Sequence, residues 1–417
     1  LTERPVVLNN SAFDDLVKFT LSLDPRPILV VADEHTDLAA GEEVTARLKC
    51  TGLSVKKVLL SGEPWAAADE GSLAQVLAAL NAREHLLVAV GSGTITDVTR
   101  FVAYQARLPY VSVPTAASVD AYNSITAAIT LRKVKHSFVT KPAAGVFANL
   151  PTLCAAPPAL TASGYGDMLA KFTALADWQL AHLLLDEVCP SDILEPIAEA
   201  TRACADQAEA IRDHTADGIA VLFEGLLVSG DCMVKMRNSR PAAGAEHSLS
   251  HFWEINHSRL GLPESLHGAK TGAASVIIAG LYDRLKQLSR EEAARRLARF
   301  QLPDVRSETA WVEAAYGELA GTILAGSPSF LGSLRPKAAQ VSARLVDRWD
   351  AVQAIAAQVP DAGRMAQMLE RGGASADLSR IHVSPEEVTQ ALRCAMYVRD
   401  RLTILELSLM LGLMDEA

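Results

Sequence analysis

The chain is poor in the features that would send it into or across a membrane. Residues 1–10 contain Thr2, Glu3, Arg4 and Pro5 and no long apolar run, so nothing there reads as a secretory leader. The apolar stretches are interrupted early, Ile219–Val228 by Glu224 and Gly225. None reaches the roughly 20 residues a spanning helix requires. Cysteine is sparse and scattered: Cys50, Cys154, Cys189, Cys204, Cys232 and Cys394 include no Cys-x-x-Cys pair. That scatter favours reduced, buried thiols in a cytoplasmic protein over a disulfide framework or a thiolate metal site. A basic excess is also missing. The formal net charge of −10 excludes a general affinity for nucleic acid or anionic membrane, which demands clustered Lys and Arg. It leaves room for a local basic pocket that holds an anionic small molecule. Internal repeats and low-complexity segments are absent.

What remains is an ordinary globular balance, 49% hydrophobic and 21% charged over 417 residues, long enough for a large core and two domains. The first third alternates apolar runs with helical patterns. Pro27–Ala32, Val55–Leu60, Leu86–Val90 and Tyr110–Val113 read as buried strands, and Leu73–Leu80 as an amphipathic helix between two of them. Strands alternating with helices predict a parallel sheet covered on both faces. After Pro151 and the turn-rich Pro157-Pro158, strand-like runs become scarce and helical periodicity takes over, with Met168, Leu169, Phe172, Leu175 and Ala176 on one face. Ser289 to Glu292 and Ser384 to Glu387 have capping-box spacing, and Gly372-Gly373 and Pro360 mark breaks. The expectation is an α/β dinucleotide-binding domain over residues 1–155 and an all-α domain over 156–417, with a ligand in the cleft between them.

Val88-Ala89-Val90 runs into Gly91-Ser92-Gly93-Thr94-Ile95-Thr96-Asp97, after which Val98, Phe101 and Val102 continue at helical spacing. Small residues at a strand-to-helix turn let a pyrophosphate approach the backbone, where the helix N-terminus offers N–H groups and a positive dipole end. This is not the Gly-x-Gly-x-x-Gly fingerprint, and a plain tight turn explains it as well. Thr115 and Ser118 follow the next strand, with Asp120 and Ser124 beyond. Their hydroxyls suit a phosphate or an amide, and they are also routine turn residues. Asp33, after the first of these strands, suits an adenosine ribose or is a solvated strand end.

Gly164-Tyr165-Gly166-Asp167 reads as the opening of the first helix of the second domain, where the dipole favours a carboxylate. Glu246-His247-Ser248-Leu249-Ser250-His251 puts two imidazoles on one helix face, and Leu266-His267-Gly268 begins another helix. Four of the ten histidines, His247, His251, His257 and His267, fall within 21 residues. Such a group suits a divalent metal with a coordination position open to substrate. His257, beside Asn256 and Ser258, reads as a surface turn. Arg132-Lys133-Val134-Lys135-His136 and Lys141 form a basic cluster, either a solvated surface or a pocket for a substrate phosphate.

Taken in order, Gly-Ser-Gly-Thr-Ile-x-Asp, Pro-Thr-Ala-x-Ser-x-Asp, Gly-Tyr-Gly-Asp-x-x-Ala-Lys, Glu-His-x-x-Ser-His and Leu-His-Gly-x-x-x-Gly resemble the bacterial-type glycerol-1-phosphate dehydrogenases. These stand within the superfamily of iron-containing alcohol dehydrogenases, glycerol dehydrogenases and dehydroquinate synthases. The likeness extends from about Asp33 to Val398-Arg399-Asp400-Arg401. It implies a dehydroquinate synthase-like fold, with a Rossmann-like α/β domain and an all-α domain. It implies Asp167, His247 and His267 as ligands of one divalent metal, zinc or else nickel or iron. It implies NAD or NADP contacts at Asp33, Gly91, Gly93, Thr94, Ile95, Thr96, Asp97, Thr115, Ser118 and Ser124, and substrate or catalytic roles for Asp120, Asp167 and His251. The implied reaction is reversible reduction of dihydroxyacetone phosphate to sn-glycerol 1-phosphate, in a cytoplasmic homo-oligomer such as a homodimer, with no nucleic-acid or membrane partner.

Two departures from that pattern bear on substrate. Ala121-Tyr122-Asn123 stands where Gly and smaller residues are usual, and Ala242-Ala243-Gly244-Ala245 stands where Ala-Ser-Gly-Ser is usual. A sister dehydrogenase acting on glycerol or another polyol or sugar-derived alcohol is therefore the alternative. A dehydroquinate synthase-like cyclase would need Val-Asp-Ser-x-x-Gly-Gly-Lys, and the corresponding Val119–Thr126 lacks the Gly-Gly-Lys. A non-catalytic dinucleotide sensor would have little reason to keep Asp167, His247 and His267.

Overall fold

The computed structural model describes residues 4–23, 26–62, 65–80, 85–132, 134–326 and 334–414. Its chain divides into two compact units, Leu1–Met168 with Asp206–Ser239, and Leu169–Ala205 with Arg240–Ala417.

The first unit is built on eight strands: β1 (Val6–Asn9), β2 (Ile28–Asp33), β3 (Val55–Leu60), β4 (Leu86–Gly91), β5 (Tyr110–Pro114), β6 (Thr126–Leu131), β7 (Val134–Val139) and β8 (Val146–Asn149). Six of them form one sheet in the order β1, β8, β5, β4, β2, β3, every pair parallel. The four apolar runs read from sequence are β2, β3, β4 and β5. In β2, Ile28 to Ala32 are at most 1% exposed, and β4 and β5 are buried throughout. A strand covered on both faces carries a continuous apolar run, which is why β2, β4 and β5 were legible; β3, expected to be buried, lies at the sheet edge with only Leu60 buried. Each such Val or Leu contributes roughly 1.5–3 kcal/mol on burial. Edge strand β3 exposes Lys56, and its Lys57 is paired with Asp37 at 2.5 Å, which discourages edge-to-edge association.

The strands β1 and β8 escaped the sequence reading. Each has four residues, too few for a periodic signal, and they form by pairing with one another, Val6 with Val146 through Asn9 with Asn149. The antiparallel hairpin β6–β7 was also missed. Its turn lies at Arg132, which has a φ of 50°.

Helices Ala12–Ser22, Glu42–Cys50, Glu70–Ala79 and Gly93–Gln105 connect the sheet strands. From β2 the chain moves outward to β3, and from β4 it moves to β5 on the other side. The connections therefore diverge at the carboxyl ends of β2 and β4, the place where a parallel sheet opens a crevice for a ligand. Asp33 and Gly91 stand at those two ends.

Among its described residues the second unit holds helices and no strand. Ser384 and Glu387 form the expected capping box. Ser289 caps Glu292 N, but the Glu292 carboxylate turns to Arg295 and Arg296 instead. All six cysteines are free thiols. Cys204, Cys232 and Cys394 are buried as expected, Cys154 and Cys189 are half-buried, and Cys50 is exposed. No described helix is long and apolar enough to cross a membrane.

Candidate active site

Asp33 ends β2 and caps the turn that follows. Its Oδ1 accepts from Thr36 N at 2.8 Å, and the Thr36 hydroxyl accepts from Asp33 N at 2.9 Å. Helix Gly93–Gln105 begins two residues after β4 ends at Gly91. A Cβ on Gly91 would lie 2.5 Å from Ile95 Cγ1, and one on Gly93 would lie 3.0 Å from Val119 Cγ2. Ser92 makes no side-chain cap to the first turn of this helix. Ser92, Gly93 and Thr94 are half-buried, while Ile95, Thr96 and Asp97 are buried. Amide donors, the positive dipole end and small residues fit a dinucleotide pyrophosphate. Ile95 and Thr96 form the underside of this turn.

Asp97 is tied into the fold. It accepts from Arg100 Nη1 at 3.1 Å through Oδ1 and from Ala128 N in β6 at 3.2 Å through Oδ2. Arg100 was not singled out from sequence, because a lone arginine on an amphipathic helix ordinarily reaches solvent. Here it is 0% exposed and donates to Tyr110 Oη at 2.7 Å, to Ser124 Oγ at 3.3 Å and to the carbonyls of Ala121 and Thr126. One guanidinium thus fixes β5, the start of β6 and the turn carrying Asp120. Thr115 and Ser118 are 6% and 3% exposed.

In the altered segment Ala121-Tyr122-Asn123, Tyr122 and Asn123 point into packing and Ala121 is half-buried. Tyr122 is 1% exposed, and its ring lies 5.6 Å from that of Phe223 at a tilt of 42°. Its hydroxyl donates to Ala116 O at 2.6 Å and lies 2.9 Å from Ser118 Oγ, which then donates to it. Asn123 Nδ2 donates to Leu227 O at 3.3 Å. Ala242, Ala243 and Ala245 are also buried. Asp120 keeps its carboxylate at the 3-10 turn, accepting from Ser229 Oγ at 2.8 Å.

The helix bearing Asp167 does not open at Gly164. Pro158 takes its first turn, where a missing N–H costs nothing, and the helix runs Pro158–Leu169. Asp167 therefore sits in the last turn, where the dipole disfavours a carboxylate, so capping does not explain it. It is 0% exposed, and its Oδ2 accepts from Asp120 N at 3.2 Å. Gly164 approaches the loop after β5 closely: a Cβ there would lie 1.9 Å from Ala117 O. Ser163 Oγ donates to Ser118 O at 3.2 Å in the same loop.

Helix Ala245–Leu260 carries His247 and His251, and helix His267–Gln287 begins at His267. Their ring centroids lie 5.2 to 6.2 Å apart. Every one of these rings has a carboxylate at Nδ1: Glu246 Oε1 at 2.7 Å for His247, Glu254 Oε2 at 2.9 Å for His251 and Glu254 Oε1 at 3.1 Å for His267. A carboxylate on Nδ1 sets the tautomer that keeps the lone pair on Nε2, the arrangement of metal-ligating histidine. Glu246 is fully buried and also accepts from Gly244 N at 2.7 Å and Thr173 Oγ1 at 2.8 Å; burial pushes its carboxyl up. Arg399 Nη2 lies 2.9 Å from His251 Nε2. Asp167, His247 and His267 each offer one ligand atom, all within 4.8 Å of one another. One carboxylate and two imidazoles are a donor set for Zn²⁺, Fe²⁺ or Ni²⁺.

His257 is not on a surface turn. It lies inside its helix, 1% exposed, with Nε2 3.1 Å from Glu387 Oε1. In the basic cluster, Arg132 and Lys141 are exposed and Lys135 and His136 half-buried, while Lys133 lies outside the described residues.

A family model described as iron-containing alcohol dehydrogenase matches residues 7–157. A glycerol-1-phosphate dehydrogenase (NAD(P)+) of Geobacillus thermodenitrificans is 32% identical over 404 residues, covering 96% of this chain and 91% of that protein. One of Bacillus subtilis is 39% identical over 286 residues, 68% of this chain and 72% of that protein. Among solved structures, glycerol dehydrogenase from Schizosaccharomyces pombe is similar with a TM-score of 0.62 at 14% identity, covering 99% of this chain and 89% of that one. Maleylacetate reductase from Agrobacterium tumefaciens gives 0.58 at 15% identity, over 99% and 95%. At such identities the structural likeness speaks to fold alone.

Proposed function

The chain belongs to the glycerol-1-phosphate dehydrogenases of the iron-containing alcohol dehydrogenase family, and from that premise we propose that it interconverts dihydroxyacetone phosphate and sn-glycerol 1-phosphate with NAD(P) and one divalent metal. The observation that carries the reading is the Asp167, His247 and His267 set, the first two buried and the third half-buried, with carboxylates behind both imidazoles, in a chain similar to those relatives over nearly its whole length. The similarity to glycerol-1-phosphate dehydrogenases over nearly the whole chain favours the phosphorylated substrate over a plain polyol. Of the two departures, Tyr122, Asn123, Ala242, Ala243 and Ala245 are buried and Ala121 is half-buried.

In this reading Asp167, His247 and His267 hold the metal, zinc by preference for this donor set. The first-turn amides of Gly93, Thr94 and Ile95 hold the pyrophosphate, with Asp33 at the adenosine ribose and Thr115, Ser118 and Ser124 lining the path toward the nicotinamide. When bound, the metal supplies Lewis acidity at the reacting C–O bond and the nicotinamide supplies or takes the hydride. Asp120 orients a substrate hydroxyl, its own carboxylate steadied by Ser229. His251, held between Glu254 and Arg399, orients the neighbouring oxygen or relays its proton. Arg100 keeps the Asp120 turn and Ser124 in register without touching substrate.

The test is NADH oxidation by zinc-loaded protein with dihydroxyacetone phosphate and dihydroxyacetone side by side. We expect kcat/KM at least about 100-fold higher for the phosphate, a difference of about 2.7 kcal/mol. Equal or reversed preference would replace the reading with a polyol dehydrogenase.

A further inference from the structure

We propose that Asp177 is a positioning residue for the metal centre, a role that rests on the metal site proposed above: one buried carboxylate fixes the two helices that carry His247 and His267.

Asp177 lies on helix Lys171–Leu185 and is 0% exposed. Burying a carboxylate is costly, and hydrogen-bond donors must offset the loss of water. Here the donors come from three other helices. Oδ2 accepts from Ala245 N at 2.8 Å. Oδ1 accepts from Tyr282 Oη at 2.6 Å and from Ile404 N at 2.8 Å. Ala245 and Ile404 are the first residues of helices Ala245–Leu260 and Ile404–Leu411, and Tyr282 lies on helix His267–Gln287. All four helices belong to the second unit.

The first N–H groups of a helix have no partner within it. At the start of helix Ala245–Leu260 the capping position is Gly244, which has no side chain to cap with. Two buried carboxylates take its place, where the helix dipole also favours them. Glu246 Oε1 accepts from Gly244 N at 2.7 Å, and Asp177 Oδ2 accepts from Ala245 N. His247 is the third residue of this helix, so the bond to Asp177 holds the backbone two residues from a proposed ligand. The fit is close: a Cβ on Gly244 would lie 2.6 Å from Asp177 Oδ2 and 2.8 Å from Ala174 Cα. Through Tyr282 the same carboxylate holds the helix that begins at His267. Glu246 and Glu254 orient the imidazole rings. Asp177 acts one level further out, on where the two helices stand. A metal site needs its ligands within about 0.5 Å of the productive geometry, so that placement matters to affinity.

The test compares wild type with Asp177→Asn, Asp177→Ala, Tyr282→Phe and Val312→Ala. Val312 is fully buried on helix Val305–Tyr316, and its truncation is the control for lost stability alone. Zinc dissociation constants are measured by chelator competition without denaturant, on samples whose circular dichroism matches wild type. Stability is measured by urea unfolding of the metal-free protein. Asparagine keeps one accepting oxygen and turns an N–H₂ group toward the remaining donor. Alanine removes both oxygens, and phenylalanine removes only the Tyr282 bond. The zinc dissociation constant should rise about 10-fold in Asp177→Asn, further in Asp177→Ala and about threefold in Tyr282→Phe. Val312→Ala should lose stability and keep wild-type zinc affinity. The asparagine and phenylalanine variants decide the matter even where Asp177→Ala fails to fold. Wild-type zinc affinity in both would overturn the role. An equal loss of affinity in Val312→Ala would overturn it too, because affinity would then follow stability alone. Absence of zinc binding by the wild type would overturn the metal reading itself and this role with it. No arm uses substrate, so the result stands whichever ketone the enzyme prefers.

Discussion

Glu246 Oε1 lies 2.7 Å from Nδ1 of His247, the next residue on the same helix. The carboxylate orients the ring and raises the basicity of Nε2. Glu246→Gln can still accept from Gly244 N and so preserves the turn, but it loses the charge. Metal affinity should fall about 10–100-fold by chelator competition, with kcat near normal at saturating zinc. His247→Ala should lose the metal and nearly all turnover while still binding NADH. Unchanged zinc affinity in Glu246→Gln would reduce Glu246 to a cap on Gly244.

Asp33 combines two functions that substitution can separate. It caps Thr36 N, and it stands where an adenosine ribose is proposed. Asp33→Ser keeps a capping oxygen and removes the charge, whereas Asp33→Ala removes both and should cost a further ~1 kcal/mol of stability. Both should weaken NADH relative to NADPH. If Asp33→Ser leaves the NADH/NADPH ratio of kcat/KM unchanged, Asp33 is a cap only.

The sequence carried the central sheet because β2, β4 and β5 are buried on both faces and write continuous apolar runs. It carried the histidines because i, i+4 spacing survives in any helix. It did not show that Pro158 opens a helix, and so misjudged which end holds Asp167. Nor did it show the partners acquired only on folding: Arg100 with β5, β6 and the Asp120 turn, Glu254 between His251 and His267, Arg399 on His251. Residues 206–239 pack with the first unit, and nothing in their periodicity says so. Local pattern reports which face is buried, not what buries it.

Gly164 lets its helix touch the loop after β5. A Cβ would meet Ala117 O at 1.9 Å, and neither partner is a flexible side-chain end. Gly164→Ala should destabilise by about 1–3 kcal/mol in urea unfolding and weaken NADH, since the displaced loop carries Thr115 and Ser118. Gly280 is the control: it lies within helix His267–Gln287 with nothing within 4 Å of a Cβ. Gly280→Ala should gain up to about 1 kcal/mol. Equal effects at the two positions would contradict the close approach at Gly164.

Glu406 makes stability depend on pH. It is 0% exposed, and burial pushes its carboxyl from an ordinary 4.5 up to about 7, with hydrogen bonds from Thr403 opposing and Asp177 adding to the rise. Below about 4.5 the group is protonated in folded and unfolded chains alike and contributes no slope. Between about 4.5 and 7 the folded chain holds the proton and the unfolded chain has lost it, so stability falls as pH rises. Above about 7 both are ionised and the loss is complete. Glu406→Gln retains the acceptor for Thr403 N and Oγ1 and removes the titration, as glutamine serves in a capping box. Its stability relative to wild type should therefore climb from pH 4.5 to 7, by at most about 1.4 kcal/mol per pH unit, and then level off. Asp177, also pushed up to about 7 by burial and by Glu246, interacts with Glu406, so the difference reports the titration of the pair. Parallel unfolding curves across that range would mean that Glu406 titrates like a solvated carboxylate, and that the helix it caps is open to water.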